Sequence, residues 1–175
     1  MSSTLGRVRQ FVRAITAHIT EEDRAYVASV LPQNALPLFY AMHRADQRHA
    51  LNVARTAMEL VDALTQIEER QVHRALLERS ALLHDVGRRK GDLDIWGKVA
   101  CVLLVHYFPK RSKQWAEDGM STMLHVYYHH PQIGAKLLRG IGLFEEADII
   151  ERHHAPADVH DSMELRLLRE ADEAN

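Results

Sequence analysis

Apolar residues in this chain recur at spacings of three and four. Leu51, Ala54, Met58, Val61 and Leu64 form one such stripe, and Val72, Leu76, Ser80 and Leu83 another. That period places a stripe on one face of a helix, whereas a half-buried strand would alternate with a period of two. No segment alternates convincingly, no repeat or low-complexity tract is present, and Gly and Pro fall at the joints between stripes. A chain patterned in this way folds as an all-α bundle.

Taken in order, residues 5–19 carry Leu5, Val8, Phe11, Val12, Ile15 and Ile19 on an amphipathic helix, with Arg7, Arg9 and Arg13 interspersed. Thr20-Glu-Glu-Asp23 caps a second short helix that runs to about Val30. Pro32 and Pro37 mark a turn. The chain thus divides into a helical N-terminal extension, residues 1–36, and a main body, residues 37–175. The extension reads as a packed cover sooner than as a partner-docking arm.

In the body, helices are expected from Leu38 to Thr65 with a break near His43–Asp46, from Glu68 to Asp85, and from Ile95 to about Tyr107. A further helix is expected from His129, with Pro131 in its first turn and Gly140 and Gly142 closing it. Phe144–Arg152 and Met163 to about Glu173, the latter behind a Ser162 cap, complete the set. The polar stretch 110–122 reads as an excursion.

A chain of 175 residues is long enough for one domain with a real core. Its net charge of -2 with His neutral argues against a general nucleic-acid or anionic-membrane binder. No run approaches the ~18 apolar residues of a membrane helix, and the N-terminus shows no signal-peptide core. The one cysteine, Cys101, lies in an apolar run as a small buried hydrophobe and fits a reducing, cytoplasmic location. Histidine stands out, with twelve residues against that single Cys. Such a surplus points to imidazole–carboxylate metal chemistry rather than to a zinc finger.

Ser80-Ala-Leu-Leu-His-Asp-Val-Gly-Arg-Arg-Lys90 is the stretch where this chemistry concentrates. It reads as the end of a buried helix, with Gly87 where a C-terminus often takes positive φ and three cations following. Adjacent residues on a helix point about 100° apart. His84 and Asp85 are therefore either a metal pair converging at a frayed end or a capped helix terminus. A second His-Asp pair, His160-Asp161, sits in a polar stretch and is given no role. Surrounding an ion takes ligands from several helices, and candidates occur at five separated places: His49, His84-Asp85, His129-His130, His153-His154 and Asp172.

The order His…His-Asp…His-Pro…His-His…Asp resembles that of the HD-domain metal-dependent phosphohydrolases. Ala81-Leu-Leu-His-Asp-Val-Gly87 is close to that family's central motif. His130-Pro131-Gln-Ile-Gly134-Ala and Ile149-Ile-Glu-Arg-His153-His154 are similar to the downstream motifs of its two-metal branch. The resemblance spans roughly residues 40–175.

It implies a helical bundle holding one or two divalent ions (Mn, Fe, Co, Ni, Zn or Mg). Carried over by position, His49, His84, Asp85 and Asp172 form the basic site. His130 with one or both of His153 and His154 holds a second ion, and Asp85 lies between the two. The implied reaction is attack of metal-activated water on a phosphate ester or anhydride of a small, nucleotide-type substrate. Asp85 and Arg88 would be its catalytic residues, with Arg88, Arg89 and Lys90 as candidates for holding the phosphate or, alternatively, as a solvated basic helix end. Asp46, one turn before His49, either orients a ligand or assists proton transfer, or else lies on the surface. A homodimer is compatible with this reading.

Departures from the family pattern narrow the reading. No Gly-Tyr-Pro segment occurs, so cyclic di-GMP is disfavoured as substrate, and Ala45 stands where some members carry a Glu that binds a third metal. Arg88 replaces the Lys that relatives often show after the central Gly. The contrasting reading is a non-catalytic HD-like module that senses a ligand or docks a partner. His18, His43, His73, His106, His125 and His160 are assigned to surfaces or local hydrogen bonds, and Trp96 and Trp115 to core or rim.

Overall fold

A computed structural model describes residues 18–88, 101 and 103–175, and these residues are helical without a β-strand. The elements are α1 (Glu21–Val30), α2 (Leu36–Ala41), α3 (Arg44–Asp62), α4 (Gln66–Glu69), α5 (Arg74–Leu83), α6 (Pro109–Glu117), α7 (Thr122–Gly140), α8 (Phe144–Arg152) and α9 (Met163–Ala174). Residues 101 and 103–107 are helical as well. The expected first helix, and most of the residues expected between Ile95 and Val102, lie outside the described residues, as do Arg89, Lys90 and Trp96.

Helix α5 is the hub. Leu77, Ala81, Leu82 and Leu83 are fully buried on it, because α3, α8 and α9 pack around it and α1 and α2 touch it from the N-terminal side. Burial of each leucine contributes about 2 kcal/mol. Ile19, Val27, Leu31 and Ala35 enter the same core. A polar knot holds α1 in place: Asp23, nearly inaccessible, accepts from Thr20 N–H, Arg48 and Arg55. Tyr26 donates to Glu78 of α5 at 2.7 Å. A smaller cluster buries Cys101, a free thiol, with Ala116, Leu124 and Val126, and Trp115 packs on its rim.

Several expected boundaries move, each for a local reason. The helix expected over Glu68–Asp85 is two helices. A Thr65–Glu68 capping box opens α4, which ends at Glu69, and α5 starts behind His73, whose N–H is taken by Glu164 of α9 at 2.7 Å and whose Nδ1 accepts from Leu76 N–H. Much of the expected excursion 110–122 is helix α6, started by Pro109 and burying Ser112 and Ala116. Pro131 does not open a helix. It lies inside α7, which begins at Thr122 behind a Ser121 cap. Gly87 lacks the expected positive φ, which among the described residues only Gly119 and Gly142 adopt. Its constraint is steric, because a Cβ there would lie 2.1 Å from the carbonyl oxygen of His130.

Candidate metal centre

Five ring systems and two carboxylates converge where the ends of α5 and α8 meet the middles of α3 and α7 and the C-terminal turn of α9. His49, His84, His153, His130 and His154 form a continuous series of ring contacts with centroids 3.9–5.5 Å apart. His84, Asp85, His130 and His153 are buried, His49 and Asp172 are partly buried, and His154 is exposed.

Three of the imidazoles share one device. His84 Nδ1–H donates to Ala81 carbonyl at 2.8 Å, His130 Nδ1–H to Tyr127 carbonyl at 3.0 Å, and His153 Nδ1–H to Ile150 carbonyl at 2.6 Å. A carbonyl can only accept, so each Nδ1 carries the proton and each Nε2 presents a lone pair. At the ends of α5 and α8 those carbonyls are among the orphan acceptors of any helix terminus. In the middle of α7 the acceptor exists because Pro131 has no N–H to give Tyr127. The His-Pro pair is thus a device for freeing a carbonyl inside a continuous helix.

The lone pairs face acceptors. Asp85 Oδ1 lies 3.3 Å from His130 Nε2, and Asp85 Oδ2 lies 3.6 Å from His84 Nε2. Asp172 Oδ1 is 3.7 Å from His84 Nε2, and it accepts a hydrogen bond from His49 Nε2–H at 2.9 Å. Four buried side-chain polar atoms lack a hydrogen-bond partner among the described residues, and three of them are here: His84 Nε2, Asp85 Oδ1 and His153 Nε2. Bare nitrogens turned toward bare carboxylate oxygens repel one another unless a cation joins them. The donor set therefore fits divalent ions. Two groups of ligand atoms lie within 4.8 Å of one another, His49/His84/Asp85 and His130/His153/His154. Asp172 stands beside the first, and Asp85 directs one oxygen toward each.

Electrostatics reinforce this division. Burial would raise the Asp85 carboxyl, but Arg88, His84 and His130 hold it well below the usual carboxylate range. Burial pushes His130 down to about 2, with Arg88 adding to the effect. Burial, then His84 and His154, bring His153 to about 3. These two imidazoles are neutral, the form that binds metal. Burial would lower His49, yet its hydrogen bond to Asp172 raises it.

Among residues given alternatives in the sequence, His130 enters the cluster while His129 stacks with His125, 4.6 Å away. Asp46 is buried, not on the surface. Asp172 is held by a docked helix: Leu165, Leu167 and Leu168 are buried, and Asn175 donates to Thr56 of α3 at 3.0 Å. Arg88 reaches the cluster directly, with Nη1–H on Asp85 Oδ2 at 2.9 Å. His43 and His73 cap α3 and α5, as local hydrogen bonding suggested.

Asp161 corrects the expectation of no role for His160-Asp161. It is buried and pairs with Arg152 and Arg169, each at 2.5 Å. Arg169 Nε in turn donates to His153 carbonyl at 3.2 Å, fixing the turn that carries His153 and His154. No spacing signal announces this partnership, because its members come from three different segments.

An all-α bundle that closes imidazoles and carboxylates around a shared aspartate is a helical scaffold equipped for divalent cations. A family model described as HD domain matches residues 47–174, and the chain belongs to that family, within a superfamily of metal-dependent phosphohydrolases. No curated protein and no solved structure matched it. No helix among the described residues is long and apolar enough to cross a membrane.

Proposed function

We propose that this chain is a metal-dependent phosphohydrolase acting on a phosphate ester or anhydride of a small, nucleotide-type substrate. His49, His84, Asp85 and Asp172 would hold one divalent ion. His130, His153 and His154 would hold a second, with Asp85 between them. The observation that carries this reading is the trio of buried imidazoles whose Nδ1–H groups are tied to helix carbonyls, which leaves Nε2 of His84 and His153 without a partner among the described residues and turns Nε2 of His84 and His130 toward Asp85.

When bound, such ions lower the pKa of a coordinated water and neutralise charge developing on phosphoryl oxygens. The chain's own contribution is preorganisation. The helix carbonyls fix each imidazole's tautomer and direction, Asp85 supplies an ionised carboxylate at neutral pH, and Arg88 offers a planar fork suited to phosphate. Arg89 and Lys90 follow it in sequence as further candidates for holding the phosphate.

The test is metal content of the protein purified without added metal, together with hydrolysis of a panel of mononucleotides, dinucleoside polyphosphates, cyclic dinucleotides and a chromogenic diester. Transition metal at one to two equivalents with metal-dependent turnover supports the reading. A folded protein that binds no metal after reconstitution overturns it.

A further inference from the structure

Arg88 leaves the turn that follows α5 and crosses the point where the two ligand groups meet. Its Nη1–H donates to Asp85 Oδ2 at 2.9 Å and its Nη2–H to His130 Nε2 at 3.1 Å. Because His130 Nδ1–H is committed to Tyr127 carbonyl, Nε2 receives Arg88 through its only lone pair. That lone pair is the one a metal ion would use. A guanidinium keeps its proton at any working pH, so the two cations exclude each other at this atom. The groups differ in this respect. Of the first group only Asp85 touches the guanidinium among the described interactions, through Oδ2, which keeps other lone pairs for an ion, whereas the His130/His153/His154 group has the single lone pair of one of its three nitrogens engaged.

Arg88 also borders solvent. Its side chain is 25% exposed, while Asp85 and His130 are 1% and 2% exposed, so the fork lies between buried ligands and solvent. A departing guanidinium needs a new anionic partner of matching shape. A phosphate offers two oxygens to two N–H groups in the same planar geometry as a carboxylate.

We infer that Arg88 is a displaceable internal cation on the second ligand group, and that a phosphate oxyanion draws it away so that this group can take its ion. This rests on the reading that both groups bind divalent metal. It makes loading of the second ion depend on the phosphate of the substrate. It also gives a physical meaning to arginine at this position: a lysine ammonium is a compact point charge and lacks the planar fork that spans Asp85 and His130.

The experiment is equilibrium dialysis of manganese against the metal-free full chain, as wild type, Arg88→Met and Arg88→Gln, with and without inorganic phosphate. Circular dichroism verifies folding, and electron paramagnetic resonance reports a spin-coupled ion pair. In the wild type the first equivalent binds tightly, and the second binds about 10-fold or more weakly until phosphate is added. In either neutral variant the second equivalent binds tightly without phosphate, and phosphate changes little. Wild type and variants with the same second-ion affinity, each holding a first ion, overturn the role of Arg88 alone. Folded wild type and variants that bind no manganese overturn it together with the two-group reading.

Discussion

Asp23 and Asp85 are both buried aspartates held below the usual carboxylate range against the opposing effect of burial, yet their surroundings differ in kind. Around Asp23 every direction supplies a donor: Thr20 N–H, Arg48 and Arg55. Around Asp85, among the described residues, Arg88 alone donates, while Oδ1 faces the lone pair of His130 and lacks a partner. The first is a closed structural knot. The second is a carboxylate arranged for a cation that the side chains do not fully supply. Burial and a depressed pKa are common to both, so neither marks a metal site; the balance of donors and acceptors does.

The largest effect that would sharpen this contrast is Asp85→Ala, which should remove bound metal and reduce turnover to background while leaving a cooperative melt. Retained turnover in a folded variant would collapse the distinction. Asp23→Ala should do the reverse, costing about 1–2 kcal/mol in urea unfolding by removing the acceptor of Thr20 N–H, Arg48 and Arg55, with metal stoichiometry unchanged.

The same residue gives a pH signature. Asp23 stays ionised in the folded chain when the unfolded chain takes up a proton below about pH 4. Its stabilisation is therefore present above that pH and is lost progressively on further acidification. The gap in urea midpoint between wild type and Asp23→Asn should be widest above pH 4 and shrink below it.

Gly87→Ala tests geometry without replacing a ligand. A Cβ 2.1 Å from His130 carbonyl must push α7 away, and metal affinity in dialysis should fall about 100-fold. Smallest of all, Pro131→Ala returns an N–H that competes with His130 Nδ1 for Tyr127 carbonyl. Metal affinity should drop about 10-fold. The melting temperature should rise by less than the ~3 kcal/mol cost of an interior proline would suggest, since that carbonyl is already satisfied.

The helical class and the five stretches bearing His and Asp were legible because periodicity and residue type are local properties of a sequence. The structure brings His49, His84, Asp85, His130, His153, His154 and Asp172 into one cluster. What local reading missed is what the chain does across space. Pro131 looked like a helix start because the carbonyl it frees is satisfied by a neighbouring side chain. Gly87 looked like a left-handed cap because His130, 43 positions later, is the group that forbids a Cβ. Asp161 looked idle because its two arginines lie on separate helices, and Arg88 stood between a phosphate holder and a solvated helix end because its second partner sits on α7.

Tying Nδ1 to a carbonyl of the same helix has a mechanical corollary. Each Nε2 of His84, His130 and His153 moves as part of its own rod, with little slack from side-chain rotation. The spacing of the donor atoms is then a gauge of how α5, α7 and α8 sit against one another. Leu138 of α7 and Ile150 of α8, fully buried side chains in the core that these rods share, become tuning screws for the distance between the two groups.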